Sequence, residues 1–154
     1  MLPMLPLIKK AAKKIKGVVE KTPLIYSSFF STRFGFKTYL KLENLQKTGS
    51  FKARGAYNKL SSLKGSEKNS GVIAASSGNH GQGVSWAATL LGMPSTIVMP
   101  VNTPIIKHTA TRSYGGDVVF YGNSFDEAYR YGLSIAEERG LTFIPPFDDI
   151  LVIA

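Results

Sequence analysis

The 154-residue chain contains no cysteine, which excludes disulfides, thiolate metal sites and thiol nucleophiles and leaves a reducing cytosol as the simplest compartment. It has two histidines, His80 and His108, too few for a histidine-based metal cluster. Carboxylates are scarce as well. Ten Asp and Glu stand against nineteen Lys and Arg, and none lies between Ser76 and Gly116. No apolar run approaches the roughly 20 residues of a membrane-spanning helix. The N-terminus lacks the basic stretch, apolar core and small-residue cleavage site of a secretory signal. These absences predict a soluble, cytoplasmic protein with no metal site and no membrane contact.

What is present is globular in composition, with 44% hydrophobic residues and a mean hydropathy of +0.00. The formal charge of +9 raises nucleic acid as a partner, so its distribution matters. Residues 1–21 hold six lysines against one glutamate, which is +5 of the total. On a helix at about 100° per residue, Leu7, Ile8, Ala11, Ala12, Ile15, Val18 and Val19 share an arc of roughly 140°, with the first five lysines opposite. That apolar side is rich in Ala and Val and has no Trp or Phe. It reads as a surface helix docked by its apolar face, and neither a membrane nor a nucleic acid is expected as partner.

Further along, short β-branched runs alternate with amphipathic stretches. Residues 72–75, 96–99, 118–121 and 142–144 read as strands, and segments 79–91, 104–114 and 124–139 are long enough for helices. Strands recurring with helices between them predict an α/β fold, a parallel βαβ sheet covered by helices. The third helix carries the clearest signals: Ser124 and Glu127 at capping-box spacing, and Gly140 where a C-terminal glycine belongs. A further strand is expected at 37–42.

Two stretches carry chemistry. In Ser50-Phe51-Lys52-Ala53-Arg54, Ser50 is a plausible helix N-cap. Lys52 then falls in the first turn, where the helix dipole, Arg54 and the aromatic Phe51 would disfavour its ammonium form. Those conditions activate an amine for Schiff-base chemistry, although an exposed helix lysine is the plainer reading. The second stretch, Ser76-Ser77-Gly78-Asn79-His80-Gly81-Gln82-Gly83, follows a strand and opens a helix. Its unpaired amides could hold a phosphate or a carboxylate. A dinucleotide site does not fit, because the glycine register differs from G-x-G-x-x-G and the ribose-binding acid about 20 residues on is missing.

Taken together, these stretches resemble the type II pyridoxal-phosphate enzymes, and within them the threonine dehydratase and serine racemase branch. The resemblance is carried by Val18-Val19-Glu20-Lys21-Thr22-Pro23-Leu24, by KLENLQKTGSFKARGA from Lys41 and by SSGNHGQG from Ser76. Ala53 after Lys52 and His80 after Asn79 are similar to the hydroxy-amino-acid dehydratases rather than to the cysteine and threonine synthases. The resemblance implies pyridoxal phosphate as cofactor, bound as an imine on Lys52, with Phe51 against its ring and Asn79 on its phenolic oxygen. It implies that Ser76, Gly78, Asn79 and His80 cradle the substrate carboxylate. The reaction implied is β-elimination from L-threonine or L-serine to a 2-oxo acid and ammonia, with the Lys52 amine taking the Cα proton. Ser77 stands where the racemase branch has its acid/base on the opposite cofactor face, so serine racemisation is an alternative activity. A non-catalytic remnant that binds small carboxylates is another.

Members of this family run well beyond the present length, and their later half supplies the cofactor phosphate loop. The chain stops in an apolar run after Asp149 with no evident cap or turn residue. It is therefore expected to be a fragment: residues 1–70 an incomplete opening of the large cofactor domain, 71–148 the small α/β domain, and 149–154 the start of the return. As such it is expected to hold the cofactor weakly and to sustain no turnover, whereas the full-length enzyme could form a homo-oligomer.

Overall fold

The computed structural model describes residues 5–154. Helix α1 (Leu5–Ile15) leads to a short antiparallel ribbon of β1 (Leu24–Tyr26) and β2 (Tyr39–Lys41), in which Ile25 faces Leu40. Between them lies α2 (Ser28–Phe34), closed at one end by Ser27 Oγ, which accepts from the Phe30 amide, and at the other by a left-handed Gly35. Two 3₁₀ turns, Glu43–Leu45 and Lys47–Gly49, precede α3 (Lys52–Leu60) and the single turn α4 (Ser66–Asn69).

The alternating segment follows: β3 (Val72–Ala75), α5 (Asn79–Leu90), β4 (Ser95–Met99), α6 (Ile105–Ser113), β5 (Asp117–Phe120), α7 (Phe125–Arg139), β6 (Thr142–Phe143) and α8 (Ile150–Ile153). The four strands form one parallel sheet in the order β5-β4-β3-β6, with Ile73 paired to both Thr96 and Phe143. Strand period 2 sorts the core into two layers. Val72, Ala74, Ile97 and Met99 pack with Ala56, Leu60 and Val84 from α3 and α5. Ile73 and Val98 pack on the other side with Ala128, Ile135 and Ala136 of α7. Every residue of β3 is buried, as the uninterrupted apolar run of a doubly covered parallel strand requires. Each such valine or isoleucine contributes about 1.5–3 kcal/mol on burial.

The four strands and three helices anticipated between residues 72 and 144 are present, with ends shifted by a residue or so. Elsewhere the structure differs from expectation. Helix α1 stops at Ile15 because Gly17 adopts a left-handed φ of 79°, so Val18 and Val19 lie outside it. Its apolar face is only partly docked: Ala11 is buried, while Leu7 and Ile8 stay 36% and 44% exposed. Lys14 leaves the solvated face and donates to Ser62 Oγ at 2.5 Å. Ser50 does not cap α3; Phe51 occupies that position without a side-chain bond, and the buried Ser50 hydroxyl has no partner among the described residues. Ser124 does cap α7 by accepting from the Glu127 amide at 3.3 Å, but the Glu127 carboxylate reaches back one residue further, to the Asn123 amide at 2.6 Å. The final apolar turn has a cap after all: Asp149 accepts from the amides of Leu151 and Val152.

Candidate active site

In an open parallel sheet, ligands bind beyond the carboxyl ends of the strands, where neighbouring connections run in opposite directions. Here the chain leaves β3 toward β4 and later returns to β6 on the other flank of β3. The crevice between the ends of β3 and β6 is thus the place to look. An open cavity of about 440 Å³ lies there, lined by Lys52, the Ser76–His80 loop, Lys107, Phe125, Pro146 and Phe147 among others.

Lys52 opens α3, whose start is pressed against α5. The fit depends on Gly83, since a Cβ there would stand 3.2 Å from the Lys52 carbonyl and 3.3 Å from the Ala53 nitrogen. From this anchor the Lys52 amine crosses the crevice and donates to the Pro146 carbonyl at 2.5 Å. Burial pulls its pKa below the ordinary lysine value. The neighbours play other parts than expected. Arg54 turns away into a bidentate pair with Glu43, at 2.8 Å from Nε to Oε2 and 2.7 Å from Nη2 to Oε1. That hydrogen-bonded guanidinium holds the Glu43 carboxyl down at about 2 against the opposing effect of burial. The Phe51 ring lies 5.5 Å from the Lys52 ammonium, a distance at which it favours the charged form. Desolvation alone accounts for the activated amine.

The opposite wall is the loop after β3. Ser76 is buried, and its hydroxyl accepts from the Gly78 amide at 3.1 Å. No acceptor takes the amides of Ser77, Asn79 or His80 among the described residues, the last two being orphans of a helix start. All three residues line the crevice, whose lining holds no carboxylate among the described residues. Gly81 lets the helix seat closely, for a Cβ there would stand 2.8 Å from Ile97 Cγ2. The His80 ring is buried and its Nε2 lies 3.1 Å from the Ile144 carbonyl. Facing a carbonyl, Nε2 must carry a proton and donate, and the lowered pKa makes the ring a neutral donor at pH 7. Burial drives its pKa down to about 4, helped by the nearby Lys52 charge and opposed by the Ile144 carbonyl. What His80 presents to the cavity is its backbone more than its ring.

The structure therefore gathers Lys52, Ser76, Ser77, Gly78, Asn79 and His80 around one cavity. Phe51 is more peripheral, 59% exposed, in an adjoining apolar pocket with Gly55, Phe147 and Ile153. Motif reading missed Lys107, Phe125, Pro146 and Phe147. The signal that could have found them is the alternation itself, because every segment following a parallel strand must emerge at the same edge of the sheet.

The parallel α/β unit thus sets a lysine of lowered pKa across a crevice from unpaired amides at a helix start, an arrangement suited to a carbonyl compound that also carries an anionic group. The comparisons with known proteins agree: residues 15–154 match the family described as pyridoxal-phosphate dependent enzyme, and the chain belongs to that family. It is 54% identical over 147 residues to an L-threonine ammonia-lyase of Thermotoga maritima, covering 96% of this chain and 37% of that protein. Among solved structures, it superposes on the processed form of threonine deaminase isoform 2 from Solanum lycopersicum with a TM-score of 0.87 at 44% identity, covering 96% of this chain and 43% of the other. Maize serine racemase gives a TM-score of 0.92 at 32% identity, with 99% and 46% covered. The chain thus spans less than half the length of these relatives.

Proposed function

We propose that this chain serves the β-elimination of L-threonine or L-serine to a 2-oxo acid and ammonia, using pyridoxal phosphate. The observation that carries the proposal is the Lys52 amine, held without a carboxylate partner and depressed in pKa by burial, across one cavity from the unpaired amides of the Ser77–His80 segment. The residues present fit the cofactor: Lys52 would anchor it, Phe51 would flank its ring and Asn79 would bond its phenolic oxygen. When bound, the cofactor supplies a conjugated ring that accepts the electron pair left at Cα. The Ser77, Asn79 and His80 amides hold the substrate carboxylate, with Ser76 fixing Gly78 in the loop. Once the substrate amine has taken its place on the cofactor, the freed Lys52 Nζ would receive the Cα proton, a role suited to an amine whose proton is easily lost. The β-C–O bond breaks with loss of water. The resulting enamine takes up water to give the 2-oxo acid and ammonia, so atoms balance.

The same reading assigns residues 71–148 to a small α/β domain, with 1–70 and 149–154 belonging to a larger cofactor domain. It places the enzyme in the cytoplasm, with exposed Phe29, Phe34 and Phe36 available to a homo-oligomer contact. The test is borohydride trapping. Incubation with pyridoxal phosphate and reduction should leave the label on the peptide containing Lys52 and none on Lys52→Ala. In a complete enzyme carrying this sequence, the same substitution should abolish ammonia release from threonine. Label spread over surface lysines at equal yield in the variant would refute the assignment.

Racemisation is a second reading, favoured by the place of Ser77 in the cavity lining. In that complete enzyme, Ser77→Ala should suppress serine racemisation at least about tenfold, a typical loss for an acid/base group being larger still. Dehydration of the L-substrate should persist, since it needs no proton on the far face. Equal loss of both activities would count against this division.

A further inference from the structure

Lys107 belongs to none of the motifs, yet its side chain folds over the glycine-rich loop: a Cβ built on Gly78 would lie 3.6 Å from its Cδ and 3.9 Å from its Nζ. We propose that Lys107 is a further binding residue of this site, the ammonium counter-ion for a carboxylate seated on the Ser76–His80 loop. The proposal rests on the carboxylate cradle proposed above and supplies what that cradle lacks. Backbone amides at a helix start offer only a fraction of a positive charge. The other cation of the cavity, Lys52, is committed to the Pro146 carbonyl on the far wall and is the residue the cofactor would take. Lys107 has neither an ion-pair nor a hydrogen-bond partner for its ammonium among the described residues, and no carboxylate lines the cavity. Its position is also costly for its own helix. Lys107 lies in the first turn of α6, where its amide bonds the Pro104 carbonyl at 2.9 Å and a cation opposes the dipole. A lysine unpaired, set against its helix and leaned over an anion-binding loop is placed for a ligand.

The experiment follows the Ser77 and Asn79 amide resonances of the 154-residue chain during titration with sodium acetate, and separately with inorganic phosphate, at fixed ionic strength. Lys107→Met keeps the aliphatic stem over Gly78 and removes the charge; Lys107→Arg restores the charge; Lys9→Met removes an exposed charge on α1 as control. Acetate should move both amides. Its affinity should fall roughly tenfold in Lys107→Met, the loss of one charge-assisted hydrogen bond. Lys107→Arg should recover most of it, and Lys9→Met should behave as the parent. Acetate affinity unchanged in Lys107→Met, with the amides still responding, would overturn the role of Lys107 and leave the cradle standing. Amides that do not respond to acetate in the parent chain would refute the cradle and this inference together. A Lys107-dependent response to phosphate but not to acetate would overturn the ligand class.

Discussion

Lys52 and His80 are held by carbonyls of one short segment, Pro146 for the amine and Ile144 for the imidazole. The consequence for His80 is thermodynamic. Its folded pKa of about 4 lies below the ordinary histidine value of 6.5, so between those values the unfolded chain binds a proton that the folded chain excludes. Stability is therefore lost as pH falls from 6.5 toward 4, with a slope of up to about 1.4 kcal/mol per pH unit from this one group. The Glu43 carboxyl, with its folded pKa of about 2 against 4.5, has the same sign in a lower window: its contribution is present above 4.5 and disappears as pH falls toward 2. The interval from pH 6.5 to 5 accordingly isolates His80. Urea unfolding measured across it should show a falling stability in the parent chain and a nearly flat profile in His80→Gln; matching slopes would mean that the ring is not buried as a neutral donor.

Helices α3 and α5 meet where Gly83 receives the backbone of Lys52 and Ala53. Gly83→Ala should push the start of α3 outward by a few tenths of an ångström, cost about 1–3 kcal/mol by overpacking, and reduce borohydride trapping at Lys52 more than the stability loss alone accounts for. Gln82→Ala, one residue along the helix and half-buried, serves as the comparison; equal trapping in both variants would dissociate the contact from the lysine. At this scale the sequence was legible where periodicity ruled. The buried runs of β3 and β4 and the amphipathic α7 announce themselves because their packing partners lie within the same segment. β1 and α2 did not, since a three-residue strand left exposed carries almost no alternation, whereas the strand expected at 37–42 is present as the shorter β2. The Ser50 cap failed for a local reason: left-handed Thr48 and Gly49 turn the chain so that Ser50 arrives fully extended, at φ −158° and ψ 159°, with its hydroxyl buried. Likewise Lys52, Ser76 and Asn79 were legible as motif residues, whereas the Pro146 carbonyl, 94 positions from the lysine it receives, leaves no mark in spacing.

Over the whole molecule, protection is expected to be uneven. Amide exchange should be slowest in β3 and β4, which contribute to both buried cores, and in α5, which lines one of them, and fastest in the β1–β2 ribbon and α2, where Leu24, Phe29, Phe34 and Phe36 are exposed. Mass-spectrometric exchange mapping checks this, and uniform protection from residue 24 to 143 would contradict it. α3 and α8 should exchange together, because Lys59 pairs with Asp149 at 2.7 Å and Asn58 Nδ2 donates to the Leu151 carbonyl at 2.7 Å. The consecutive prolines after β6 matter in one more way. β6 forms one border of the sheet and pairs through only two residues, and Pro145 and Pro146 beyond it have no N–H to offer a newcomer. The border nearest the crevice is therefore poor at templating another strand, and the segment whose carbonyl receives the lysine also guards the sheet against edge-to-edge aggregation.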